Sequence, residues 1–323
     1  MPDKLIHTKE SRAAADTGTM KGTLDQIAAQ AAEVILGKDH QIRLSLACFL
    51  ARGHLLIEDV PGVGKTTLAH VLAQCLGLNF NRIQFTSDLL PADILGVSIY
   101  NKERGDFSFH PGPVFAHVVL ADEINRATPK CQSALLEAME EQQVSIENLT
   151  RRLPDPFFVI ATQNPHHQIG TYPLPESQLD RFMVRITMGY PDPDAERALL
   201  AGTNRRNLIE KIQPVTDTQQ LLAMQQSVNG VFVSKALIEY LQNLLAYTRH
   251  SPDYELGLSP RAGLALRQCA QAWALMQGRD HVLPEDVQTV LPHVVGHRIQ
   301  AANGYSEKDT QQLTAQLACV PIP

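Results

Sequence analysis

A glycine-rich turn set between an apolar run and a helical pattern constrains this chain more than any other feature. Residues 53–68 read GHLLIEDVPGVGKTTL. The apolar stretch 55–57 leads into a turn containing Gly62 and Gly64, and Lys65 and Thr66 follow. Leu68, Val71, Leu72, Cys75 and Leu76 then recur on one helical face. Strand, glycine turn and helix in that order are the context in which G-x-x-x-x-G-K-T holds phosphate. The glycines let backbone N–H groups converge on phosphate oxygens, and the helix N-terminus adds partial positive charge. In that role Lys65 reaches the β- and γ-phosphates of ATP, and the Thr66 hydroxyl ligates Mg²⁺. Asp59 stands where the pattern has its first glycine, so the loop must begin to turn without a residue that favours positive φ.

Around this loop, short apolar runs at 54–57, 80–85, 118–121, 157–161 and 183–188 alternate with helical patterns. That alternation predicts an α/β fold with a parallel sheet buried on both faces. Tyr190-Pro191-Asp192-Pro193 interrupts it, and the pattern beyond is helical. One helix carries Leu237, Leu241, Leu244 and Leu245, and another opens at Ser259-Pro260. A third carries Val287, Val290, Leu291 and Val294 on one face. The expected organisation is a flexible lead-in over 1–22, an α/β core over 23–190, a smaller all-α domain over 191–300 and a polar tail over 301–323. A chain of 323 residues is long enough for each domain to have its own core.

Composition excludes several classes. A net charge of −6 gives no global basic field to draw the chain to nucleic acid or anionic membrane. Its five cysteines are dispersed, and no two form a C-x-x-C pair, which argues against a disulfide framework or a structural zinc. The N-terminus lacks an apolar signal region, and no run approaches the ~18 apolar residues of a membrane span. The cytoplasm is the expected location.

Residues 117–123 read HVVLADE, an apolar strand ending in two carboxylates. In a parallel sheet, ligands sit beyond the carboxyl ends of the strands, so this pair faces the same crevice as Lys65. Asp122 is suited to holding Mg²⁺, directly or through water, and Glu123 to polarising an attacking water. A third strand, 157–162, runs into Gln163-Asn164-Pro165. Asn164 either aligns that water or touches the γ-phosphate, or simply opens an Asn-Pro turn. Arg181 precedes the last strand, and Arg261 sits in the first turn of a helix in the second domain. The helix dipole disfavours a cation there, so Arg261 calls for an anion. Both arginines fit either the charge developing on a transferred phosphoryl group or a surface salt bridge.

Together these elements resemble an AAA+ ATPase, and most closely the MoxR family, over residues 23–298. The stretches that carry the resemblance are EDVPGVGKTTLA at 58–69, RIQFTSDLLPADILG at 82–96, FHPGPVFAHVVLADEINRATPKCQSALLEAMEE at 109–141, FFVIATQNP at 157–165, LPESQLDRF at 174–182 and GLSPRAG at 257–263. The resemblance implies a Walker A segment, Asp59, Val60, Pro61, Gly62, Val63, Gly64, Lys65, Thr66 and Thr67, with Asp59 part of the family's own version of the loop. Asp122 and Glu123 match Walker B, and Asn164 matches sensor 1. Arg181 matches the arginine finger acting on a neighbouring subunit's ATP, and Arg261 matches sensor 2 on the helical lid. Ile35, Leu36 and Gly37 match the segment lining the adenine pocket.

Residues 97–100 and 107–109 flank a turn-like 101–105 and predict a β-hairpin; 144–153 predict a second. In related rings such hairpins face the pore and work on a client. His166-His167 lacks a third ligand nearby and does not read as a metal site. The family implies a hexameric ring that remodels or matures a client beside a protein with a von Willebrand A domain. A nucleic-acid motor is the alternative that the acidic charge disfavours. A scaffold that binds ATP without turnover is disfavoured by Glu123, and a P-loop kinase by a trans arginine and a helical lid.

Overall fold

The computed structural model describes residues 3–102, 105–147, 149–164, 170–202, 206–302 and 307–323. Helices α1 (Asp3–Val34) and α2 (Asp39–Leu50) lead into β1 (Leu55–Glu58), α3 (Lys65–Cys75) and β2 (Phe80–Gln84). A short α4 (Pro91–Leu95) precedes the hairpin β3 (Gly96–Asn101) and β4 (Asp106–Pro111). Next come β5 (Val118–Asp122), α5 (Pro129–Glu141) and a second hairpin, β6 (Gln143–Ile146) and β7 (Leu149–Arg152). β8 (Phe158–Gln163), α6 (Glu176–Leu179) and β9 (Val184–Ile186) complete the core.

Five strands form one parallel sheet in the order β2-β5-β8-β1-β9. They fall on the five apolar runs, and the period-two alternation of a strand divides those of β1, β5 and β8 between two cores. Leu55, Ile57, Val118, Leu120, Phe158 and Ile160 face one buried cluster. Leu56, Val119, Ala121, Val159 and Ala161 face another, shared with Leu135, Leu136 and Met139 of α5. Because β1, β5 and β8 are adjacent, the loops at their carboxyl ends open on one crevice.

Beyond β9 lie α7 (Pro193–Ala201), α8 (Arg206–Ile209), α9 (Thr218–Gly230), α10 (Lys235–His250), β10 (Tyr254–Leu256), α11 (Pro260–Met276), α12 (Pro284–Val295), β11 (Gln300–Ala301) and α13 (Glu307–Ala318). Asp192, Asp217, Ser234 and Ser259 cap α7, α9, α10 and α11, each accepting the N–H three residues on. Such caps satisfy donors that a helix start otherwise leaves open.

Four expectations change. Helix α1 reaches back to Asp3, through a polar lead-in where no periodicity predicts helix. The lid is helical except for the antiparallel pair β10–β11. The tail beyond 301 contains α13, whose Leu313 and Leu317 are buried. Among the described residues the lid also has no separate core: Leu266, Val287 and Leu291 join the same cluster as Leu55 and Leu68. Helix α2 makes that continuity, since it packs against both β9 and α11. Gln225 Nε2 on α9 donates to the buried Phe49 carbonyl on α2 at 2.8 Å.

Buried histidines give this core an acid limit. His54 Nδ1 accepts from the Val159 N–H at 3.0 Å, so its Nε2 carries the proton and faces the Met139 carbonyl. Burial pushes His54 down to about 4, and burial together with nearby His40 pushes His293 down to about 4. His297 is lowered as well, by burial and by Arg298. These rings are neutral when folded but protonate near 6.5 when unfolded. Stability is therefore complete above about pH 6.5 and is lost as pH falls towards 4, on the order of 3 kcal/mol for His54 alone. Urea melts at pH 7.5 and pH 5 should show the drop; a midpoint unchanged across that interval would contradict it.

Candidate functional site

The loop after β1 turns on two residues in the left-handed region, Gly62 at φ 88° and Gly64 at φ 94°. A Cβ built on either would meet nothing within 4 Å, so glycine is needed there for backbone conformation, and the space beside it is open. Gly64 is the N-cap of α3 and offers no side chain to its first-turn N–H groups. Those donors border a cavity of ≈ 330 Å³ lined by Pro61, Gly62, Gly64, Lys65, Thr66, Thr67, Asp122, Glu123 and Asn164. Lys65 is buried, and its Nζ donates to the Asp59 carbonyl and, at 3.1 Å, to Asn164 Oδ1. Burial lowers its pKa, opposed by the negative charges of Asp59, Asp122 and Glu123.

The acid pair is held by neighbouring strands. Asp122 ends β5; its Oδ1 accepts from Thr162 Oγ1 at 2.6 Å and its Oδ2 from Arg82 Nη2 at 2.6 Å. The Glu123 N–H donates to the same Thr162 hydroxyl at 2.9 Å. Glu123 itself sits at φ 57°, a costly conformation for a residue with a side chain, held by the surrounding bonds. Its Oε2 accepts from Gln84 Nε2 at 3.0 Å and faces Arg126 Nε at 3.2 Å, while Oε1 faces Asn164 Nδ2 at 3.4 Å. Sequence reasoning missed Arg82, Gln84, Arg126 and Thr162. Gln84 is in register with Asp122 across β2 and β5, a relation set by strand order and visible in no local motif.

A second cavity of ≈ 450 Å³ adjoins the first and shares Pro61, Gly62, Gly64 and Thr67 with it. Its apolar walls are Val34, Ile35, Leu36 and Val63 on one side and Tyr190, Pro191, Leu199 and Leu200 on the other. Lys38 and Glu196 stand at its edge. A polar trough lined by backbone N–H groups thus continues into an apolar slot. The donor set also fits Mg²⁺, since the Thr66 hydroxyl and the two carboxylates are hard oxygen ligands.

Several expected residues stand elsewhere. Asp59, Val60 and Gly37 are outside the lining of both cavities. The Asp59 carboxylate turns away: Oδ2 accepts the Met188 and Gly189 N–H groups, each at 2.6 Å, and Oδ1 accepts that of Val60 at 2.7 Å. An acid in the position of the first glycine therefore ties the loop to the chain leaving β9. Gly37, at φ 66°, lets the chain turn where a Cβ would lie 2.7 Å from Asp192 Oδ2. Arg181 Nη1 donates to the Leu136 carbonyl, and Arg261 Nη2 meets Glu140 Oε1 at 2.6 Å. Leu136 and Glu140 are one turn apart on α5, so both arginines lie over that helix, away from their own chain's cavities. The anion that Arg261 required is Glu140. Pro165, His166 and His167 lie outside the described residues, and among the described residues no group of three or more His, Cys, Asp or Glu is placed to hold a metal.

Two family models match the chain. Residues 54–184 match the ATPase family associated with various cellular activities (AAA), and 246–317 match the AAA lid domain. Among curated relatives, the uncharacterised protein YeaC of Bacillus subtilis is 48% identical, over 82% of this chain and 83% of its own. Chaperone MoxR1 of Mycobacterium tuberculosis is 42% identical, over 86% and 75%. Protein MoxR of Paracoccus denitrificans is 32% identical, over 90% and 93%. A crystal structure of a conjectured ATPase from Cytophaga hutchinsonii, 35% identical, covers 98% of both chains with a TM-score of 0.85.

Proposed function

Because the chain belongs to the MoxR family of AAA+ ATPases, we propose that it binds Mg-ATP across the two joined cavities and hydrolyses it with Glu123 as base. The observation that carries this reading is the shared floor of those cavities, Pro61, Gly62, Gly64 and Thr67. It joins an apolar slot suited to a purine with a trough of N–H donors suited to three phosphates.

In this reading Ile35, Leu36, Leu199 and Leu200 enclose the base. Gly62, Gly64 and Lys65 hold the β- and γ-phosphates, while Thr66 and Asp122 hold Mg²⁺. The ion, when bound, neutralises phosphate charge and stabilises the leaving diphosphate. Glu123 takes a proton from water as the water oxygen bonds to the γ-phosphorus, and the bond to the bridging oxygen of ADP breaks. Gln84, Arg126 and Asn164 orient Glu123 in the resting chain, and Asn164 also holds Lys65.

The cations for the developing charge come from a neighbouring copy in a ring, with Arg181 and Arg261 presented together over α5. The hairpins supply the client-facing surface: Val97, Ile99, Tyr100 and Phe107 are exposed on the first and Leu149 on the second. Arg151 lies 3.9 Å over the Phe109 ring, joining the two hairpins. A client protein and a von Willebrand A partner are part of this proposal, as is the cytoplasm as location. No helix among the described residues is long and apolar enough to cross a membrane.

Calorimetric titration of ATP into the wild-type chain and Lys65→Ala tests the binding half of the proposal. Removing a buried cation from a phosphate site should weaken binding by about 10²-fold or more. Equal affinities would put the nucleotide elsewhere.

A further inference from the structure

The turn that carries Arg181 is held by a side chain from the far end of the lid. Arg298 follows α12, and its side chain is 4% exposed. Its Nε donates to Asp180 Oδ1 at 2.7 Å, and Nη2 donates to the carbonyls of Asp180 at 3.1 Å and Phe182 at 2.7 Å. Nη1 donates to the carbonyls of Met183, at 3.1 Å, and Val294. His297 Nε2 adds a bond to Phe182 O at 2.8 Å. Every residue from 180 to 183 except Arg181 is thus bonded to Arg298. Asp180 also reaches the other arginine: its Oδ2 accepts from Ser259 Oγ at 3.4 Å and lies 4.0 Å from Arg261 Nη1. Ser259 is the N-cap of the helix that begins with Pro260 and Arg261.

We propose that Arg298 and Asp180 are positioning residues for ATP hydrolysis, fixing Arg181 and Arg261 as one rigid pair for a neighbouring copy's nucleotide. The inference rests on the proposed action of Arg181 across an interface. The geometry suits the task, because a planar five-donor fork fixes a turn in direction as well as place, which a point charge does not. The clamp joins the lid to the arginine turn directly, so the two arginines move with the lid and with each other.

Asp180→Asn keeps the shape and removes the charge that Arg298 and Arg261 share. Its kcat should fall by about 10²-fold, the cost of a displacement near 1 Å at a reacting group, with ATP affinity unchanged. Arg298→Lys should do the same, since lysine keeps the charge without the fork. Asp286→Asn serves as the structural control. It breaks another well-buried lid pair, with Arg279 at 2.6 Å at the opposite end of α12, and should lower the melting temperature without lowering kcat at permissive temperature.

Subunit mixing separates a finger-side lesion from a lesion in a chain's own site. Asp180→Asn mixed with Lys65→Ala should regain activity, and mixed with Arg181→Ala should not. Rescue by Arg181→Ala instead, or a wild-type kcat for Asp180→Asn, overturns the clamp while leaving Arg181 in place. If Arg181→Ala and Lys65→Ala themselves fail to complement, the reading across the interface falls and takes the clamp with it.

Discussion

Glu123→Gln is expected to bind ATP as tightly as the wild-type chain and to hydrolyse it about 10²–10⁴-fold more slowly, the range a positioned general base contributes. The amide fills the same space but cannot take the proton of the attacking water. Its oxygen can still accept from Gln84 Nε2 and face Arg126, so the strained backbone at 123 keeps most of its support. A stopped assay at saturating ATP, paired with equilibrium binding, measures both halves. Wild-type turnover would remove Glu123 from the role of base. Lost binding would mean that the carboxylate holds the site together instead of activating water.

Arg181→Ala should leave nucleotide affinity nearly intact and reduce kcat by about 10³–10⁵-fold, as for other arginines aimed at a transferred phosphoryl group. The prediction follows from where the side chain lies: over α5 at the Leu136 carbonyl, outside the cavity that holds Lys65 and Glu123. A residue there has no path to its own chain's phosphate trough without leaving that carbonyl, but it is free to serve another copy. Equimolar mixing with Lys65→Ala creates interfaces with one intact site and one intact finger, and activity should return. Failure to recover at any ratio would contradict a site completed between chains.

The loop from Gly62 to Thr66 was legible in the sequence because its chemistry is local: two glycines one residue apart, a lysine and a helix start. The acid pair was legible for the same reason, once a buried strand is seen to end in two carboxylates. What escaped depends on order in space. Arg82 and Gln84 matter because β2 lies beside β5, and Thr162 because β8 lies on the other side. Asp59 looked like a flaw in a phosphate loop, yet its carboxylate pins that loop to the end of β9.

Arg261 was only partly legible. Its helix start and its need for an anion were both readable, but the direction in which the lid turns that helix was not. The lid packs through α2 into the core on one face of the sheet, and this brings Arg261 to Glu140 and Asp180. Arg298 had no local signature at all. Its partners on the turn of Arg181 lie more than a hundred residues earlier, and a lone arginine after a helix reads as surface charge. Helix α1 was missed in its first half because the apolar periodicity of the sequence begins only at Leu24, on the face that is buried as far as Val34.

The most direct measurement is a structure of the Glu123→Gln chain with ATP and Mg²⁺. The base is expected between Ile35 and Leu200 and the phosphates on the N–H groups from Gly62 to Thr66, with the metal against Thr66 and Asp122. Nucleotide bound at another surface, or both cavities empty at saturating ATP, would contradict it.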